Sequence, residues 1–191
     1  PTWNVPKSIT LKEYLPEMQE DPSAHDYLEL IDLDREIVPR DLVDFNEYDE
    51  DTFPYDLKQF PSITNALGLV KFMFPNQYSI YLHDTPSKPL FDLEVRAFSH
   101  GCIRLQKPFE FAYELLKPQS EDPKTTFNEA IATGEETVVY LRQPVPVHLI
   151  YRTAFVDELG EINYRRDIYG RDAAIYEALI KAGVQAESFS G

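Results

Sequence analysis

A chain of 191 residues with a single cysteine can form no internal disulfide, so its fold must rest on buried apolar surface and hydrogen bonds. At 22.1 kDa it is long enough for one sizeable core with room for a small appended element. Hydrophobic residues make up 43% and aromatic residues 13%, which excludes a disordered chain. The one cysteine, Cys102, lies in Phe98-Ser99-His100-Gly101-Cys102-Ile103-Arg104-Leu105, and a second histidine stands upstream in Tyr81-Leu82-His83-Asp84-Thr85-Pro86. A short polar turn holding a glycine is a poor place to bury an inert thiol. It is a good place to expose a sulfur, set a histidine beside it and offer backbone N–H groups to a developing oxyanion. The first reading is therefore a cysteine-nucleophile acyl-transfer enzyme.

In that reading Cys102 attacks a carbonyl carbon as a thiolate, a form that the ordinary thiol pKa of about 8.5 makes scarce at neutral pH. His83 takes the thiol proton and returns it to the leaving amine. His100 stands two residues before the sulfur in a tight turn, where its side chain need not reach it; it positions the turn or contacts substrate. The N–H groups of Gly101 and Cys102, with that of His100 as a third candidate, would form the oxyanion hole. Arg104 favours the thiolate or grips a substrate carboxylate, or else pairs with a neighbouring acid. Tyr81 and Ser99 are candidates for hydrogen bonds to substrate, against plain packing and turn stabilisation. Either Cys102 or His83 alone would read as structural; the pair within one motif does not. His83, Asp84, His100 and Cys102 are all possible zinc ligands, but the paired short Cys/His spacings of structural zinc sites are missing. Neither a phosphate-binding glycine loop nor a serine nucleophile elbow is found.

Periodicity gives a β-rich core with peripheral helices. Thr10-Leu11-Lys12-Glu13 reads as a capping box opening a helix that carries Leu11, Tyr14, Leu15 and Met18 on one face, with Pro16 shortening or kinking it. Gly68–Phe74 and Tyr78–His83 read as a hairpin across Pro75-Asn76, with Ser79, Tyr81 and His83 on one face. Pro108 opens a helix at a favourable first-turn position. Thr126-Phe127-Asn128-Glu129 is a second capping box, stopped at Gly134. Thr137–Leu141 and Val145–Tyr151 read as strands, Ala154–Val156 and Ile162–Tyr164 as a second hairpin, and Asp172 as the cap of a last helix reaching Gly183.

The net charge of −15 is uneven: residues 11–60 hold sixteen Asp/Glu against Lys12, Arg35, Arg40 and Lys58. Without clustered Lys/Arg a nucleic-acid partner is not expected. No apolar run approaches the roughly 18–20 residues of a membrane span. The start at Pro1 without a signal-peptide pattern reads as an excised domain or mature fragment.

The arrangement of His83, a spacer, and Ser99-His100-Gly101-Cys102-Ile103-Arg104 resembles the signature of the L,D-transpeptidases, the YkuD-type catalytic domain. The histidine and cysteine are 19 residues apart, as that pattern requires. Asn65-Ala66-Leu67-Gly68-Leu69-Val70-Lys71-Phe72, Ala154–Asp157 through Asp167-Ile168-Tyr169, and Pro1-Thr2-Trp3-Asn4-Val5-Pro6 are similar to the larger periplasmic branch of Gram-negative bacteria. The resemblance implies an α+β fold, mainly β with peripheral helices: a β-sandwich catalytic core with an inserted acidic capping subdomain. It divides the chain into a lead-in (1–9), an acidic capping segment (10–61), the catalytic core (62–170) and a C-terminal helix and tail (171–191). It gives Asp84, through its backbone carbonyl or its carboxylate, the task of orienting His83, and because a serine often stands at the place of His100, that histidine is dispensable to the chemistry.

The activity implied is peptidoglycan cross-linking in the periplasm or cell envelope. A tetrapeptide stem is the donor, diaminopimelate of a second stem the acceptor, and D-Ala is released. Carbapenem β-lactams are the implied covalent inhibitors, and no metal or organic cofactor is called for. The same chemistry serves a carboxypeptidase or an enzyme anchoring a lipoprotein lysine. A non-catalytic peptidoglycan-binding module is the alternative of another class.

Overall fold

The computed structural model describes residues 1–184. The expected tail beyond Val184 lies outside the described residues. Two compact units are present: Pro1–Asp92 with Ser99–Pro144, and Leu93–Phe98 with the chain from Val145 onward. Residues 145–170, which the sequence reading joins to the catalytic core, fall in the second unit.

The first unit begins with β1 (Trp3–Asn4) and a helical run made of α1 (Lys7–Ile9), a π-turn (Thr10–Tyr14) and α2 (Leu15–Glu20). Pro16 has no N–H to give the carbonyl four residues back. The helix is not broken by this; it widens, and the Leu15 N–H bonds to the Thr10 carbonyl. The expected capping box is corrected here. Pro6 holds the N-cap position without a side-chain bond, and Thr10 lies inside the helix, fully buried. The predicted apolar face is real: Leu15 and Met18 are buried, and Leu11 and Tyr14 pack against the same cluster.

The acidic stretch that looks weakly periodic folds into the best-packed part of the chain. Strands β2 (Glu29–Ile31), β3 (Ile37–Val38) and β4 (Asp56–Gln59) join β1 in an antiparallel sheet of order β1-β4-β2-β3. Its core holds Leu28, Leu30, Val43, Phe45, Phe53 and Leu57 under the helix. Burial of such side chains contributes roughly 1.5–3 kcal/mol each. The carboxylates decorate the outside of this core.

A second sheet follows: β5 (Lys71–Phe72), β6 (Leu82–His83) and β7 (Ile103–Arg104). The predicted hairpin forms, with Lys71 opposite His83, but each strand has two residues. Asn76 explains the shortness. Its side chain accepts the N–H groups of Tyr78 and Ile80 and donates to the Ile80 and Phe74 carbonyls, so the turn end is closed by a side chain and not by a ladder. β7 then lies parallel to β6. Helix α3 (Pro108–Leu116) has Pro108 in its first turn as expected and packs on α4 (Pro123–Ala132) through Ala112, Leu116 and Phe127. Asp122 caps α4, accepting the Thr125 N–H at 3.1 Å; Thr126 lies inside that helix, which corrects the second capping box.

The stretches 137–141 and 145–151 are not strands. In the first unit, the side-chain amide of Gln119 takes the place of a strand neighbour, donating to the Tyr140 carbonyl and accepting the Arg142 N–H. Pro144 and Pro146 remove two ladder donors from the rest. The second unit contains the predicted hairpin, β8 (Ala154–Val156) with β9 (Ile162–Tyr164), and α5 (Asp172–Lys181). Asp172 is the first residue of α5 and Arg171 its N-cap, so the expected Asp172 cap is displaced by one position. The whole is an α+β protein.

Candidate active site

The parallel pairing of β6 with β7 assembles the site. Leu82 is opposite Ile103 and His83 opposite Arg104. The pairing continues one residue outward, where the Ile103 N–H donates to the Tyr81 carbonyl at 3.0 Å. Side chains alternate along a strand, so Tyr81, His83, Cys102 and Arg104 share one face and Leu82 and Ile103 the other. Two segments whose histidine and cysteine are 19 residues apart thus bring a phenol, an imidazole, a thiol and a guanidinium together.

His83 is buried, 5% exposed. Its Nδ1 donates to the Asp84 carbonyl oxygen, which leaves Nε2 as the free acceptor. Of the two sequence options for Asp84, the carbonyl holds the histidine. The carboxylate is occupied elsewhere, accepting the Leu69 N–H at 2.9 Å and Lys88 Nζ at 2.7 Å. Burial lowers the His83 pKa from its ordinary value; the hydrogen bond to the Asp84 carbonyl opposes this, and the Arg104 charge adds to it. A histidine so placed is neutral at pH 7 and able to accept a proton.

Cys102 is half-buried, and its thiol faces the Ser79 carbonyl at 4.0 Å. Ser79 has φ of +54°, a strained value for a residue with a side chain. Burial first, then the neighbouring Cys102 sulfur, push the Tyr81 phenol pKa upward, so it stays protonated. The Tyr81 and His83 rings meet edge to face with centroids 5.9 Å apart.

The turn itself depends on Gly101 and Ser99. Gly101 has φ of +148°, a region that favours glycine. Ser99 Oγ donates to the Cys102 carbonyl at 2.6 Å and accepts the Gly101 N–H at 3.3 Å, so Ser99 binds the turn. Among the described residues the Cys102 N–H makes no hydrogen bond, and it is the more available of the two expected oxyanion donors. His100 does not turn toward the sulfur. Its Nε2 meets Glu13 of the π-turn at 2.9 Å, with both side chains largely exposed. Arg104 is half-buried and, among the described residues, forms no ion pair, which leaves its guanidinium open to a ligand.

The model of the YkuD family, the L,D-transpeptidase catalytic domain, matches residues 1–145. The chain belongs to this family. The match ends where the first compact unit ends, so it covers the acidic sheet as well as the motif. A curated relative from Haemophilus influenzae, named "Putative L,D-transpeptidase", is 36% identical over 178 residues. That alignment takes in 92% of this chain and 35% of the relative, so the chain spans about a third of that protein's length. The described residues contain no helix long and apolar enough to cross a membrane.

Sequence reasoning missed four participants: Gly68, Ser79, Lys88 and Glu13. Lys88 was detectable as a cation four residues after Asp84. Glu13 was not, because its contact is set by the π-turn.

Proposed function

We propose that this domain is a peptidoglycan L,D-transpeptidase of the cell envelope that forms 3→3 cross-links through a Cys102 acyl-enzyme. The observation that carries the reading is the shared face of Tyr81, His83 and Cys102, with His83 held by Nδ1 and kept neutral by burial. Cys102 Sγ attacks the carbonyl joining the L-centre of diaminopimelate to the terminal D-Ala of a tetrapeptide stem. Its proton passes to His83 Nε2. The oxyanion forms against the Cys102 N–H, with Gly101 as second donor once its long bond to Ser99 yields. Collapse breaks the C–N bond, and the proton on His83 goes to the departing D-Ala amine. The side-chain amine of a second stem then attacks the thioester carbonyl, gives its proton to His83 and releases the thiolate. The net exchange is one amide for another, with no redox change.

Arg104 holds a substrate carboxylate in this scheme, and Tyr81 donates to the sulfur or the substrate. Residues 10–61 act as the capping element, since their Glu13 meets His100 on the cysteine turn. Carbapenems acylate the same sulfur. Product analysis with a purified disaccharide-tetrapeptide tests the reading. Released D-Ala with a cross-linked dimer supports cross-linking; D-Ala with tripeptide alone makes it a carboxypeptidase; stem binding without any product makes it a binding module.

A further inference from the structure

His83 performs its task only in one tautomer and one orientation, and both are dictated by where the Asp84 carbonyl points. We infer that Lys88, the Asp84 carboxylate and Gly68 form a clamp that fixes this carbonyl, with Lys88 as a positioning residue for His83; the inference rests on the proposed role of His83 as base. The Asp84 side chain is 8% exposed and both of its oxygens are engaged, Oδ2 by the Leu69 N–H and Oδ1 by Lys88 Nζ. The Asp84 N–H is also committed, to the Val70 carbonyl at 2.8 Å. With its side chain and its N–H both held, Asp84 is fixed at its Cα, so its carbonyl can leave His83 only by rotation about the single Cα–C bond.

Lys88 reaches further than Asp84. Its Nζ donates to the Leu105 carbonyl at 3.0 Å and the Gln106 carbonyl at 3.2 Å as well. An ammonium has three protons, and here each has an acceptor. Two of those acceptors lie just past β7 and the third just past β6. One cation thus ties the exit of the histidine strand to the exit of the strand that follows Cys102, and fixes the lateral position of one against the other. The Leu105 N–H to the His83 carbonyl, at 2.8 Å, closes the same junction from the backbone side.

Gly68 makes room for the clamp. Its φ is +63°, and a Cβ built there would sit 2.2 Å from Asp84 Oδ2. Any side chain at position 68 would expel the carboxylate from the place where Leu69 and Lys88 hold it.

The test is the histidine NMR signature of Lys88→Met, read beside turnover of the disaccharide-tetrapeptide. The Lys88 side chain is 42% exposed, so the methionine fills its stem without opening a core cavity. In the wild-type domain, ¹⁵N-histidine spectra are expected to show His83 protonated at Nδ1. In Lys88→Met they are expected to show a mixture of tautomers, with kcat lowered by about 10- to 100-fold and KM unchanged, the scale of a small misplacement of a reacting group. Lys88→Arg restores most of both, whereas Lys117→Met, which removes an exposed pair with Glu114, changes neither. A folded Lys88→Met that keeps the wild-type tautomer and kcat overturns the clamp. Should that variant fail to fold, Asp84→Asn decides: it keeps an acceptor for Leu69 and removes the charge facing Lys88, and an unchanged His83 signal overturns the clamp. If the wild-type domain releases no D-Ala, the proposed activity fails, while the tautomer spectra still decide the clamp.

Discussion

The sheet β1-β4-β2-β3 buries Leu30, Phe45 and Leu57 to 1% exposure, whereas the sheet β5-β6-β7 has two-residue strands and leaves Tyr81, Cys102 and Arg104 half-buried. Both belong to one compact unit. The first is held by apolar packing, which is dense and indifferent to pH. The second is held by a few polar contacts: Asn76 in its turn, Ser99 in the cysteine turn, Lys88 between its strand exits. A site that must admit a peptide and expose a sulfur cannot be closed with leucines. Its geometry is carried by hydrogen bonds, and its support by the neighbouring sheet.

This contrast can be broken by paired substitutions. His83→Gln is expected to lower turnover by about 10² to 10⁴, the usual worth of a general base, while the thermal unfolding midpoint changes little. A parallel loss of stability would mean that His83 is a core residue. Leu30→Ala is expected to do the reverse. Cavity formation costs about 2–5 kcal/mol, read by denaturant unfolding, while turnover per folded molecule is retained. If activity disappears in a variant that stays folded, the acidic sheet does more than support the site.

Acidity discriminates the two regions next. Burial lowers the His83 pKa, so the acid limb of kcat/KM is expected below the ordinary histidine value of about 6.5. The unfolded chain binds more protons than the folded one between these two values, so stability rises as pH increases through that window. His83→Gln removes this slope. An acid limb at or above the ordinary value would show that His83 is charged in the resting site.

The smallest effect is expected at the contact between the regions. The Glu13–His100 pair is exposed on both sides, and its loss in Glu13→Gln costs about 0.2–1 kcal/mol. A change in KM for the tetrapeptide, greater than that in kcat, would assign the acidic segment to substrate entry. Equal KM values would leave it as support.

The site was more legible in the sequence than the fold. Cys102, His83 and Gly101 stand in a motif whose spacing reflects two adjacent parallel strands, and short-range alternation put Tyr81 and His83 on one face. The acidic sheet was hidden because its strands are two to four residues long and their burial comes from long-range pairing, as between Leu30 and Leu57. Capping boxes misled for a similar reason: Thr10 and Thr126 have the right neighbours, but Pro6 and Asp122 begin their helices earlier. The strands expected at 137–141 and 145–151 had suitable residues and no ladder partner. Whether Asp84 worked through its carbonyl or its carboxylate could not be read from spacing, since it depends on Lys88 and Gly68 arriving from either side.

Intact-protein mass spectrometry after mixing the reduced domain with disaccharide-tetrapeptide tests the central claim most directly. The wild-type domain is predicted to gain the mass of the donor stem less D-Ala, and Cys102→Ala to gain nothing. A folded wild-type domain that carries no adduct and releases no D-Ala, or a Cys102→Ala variant that still releases it, would contradict the account.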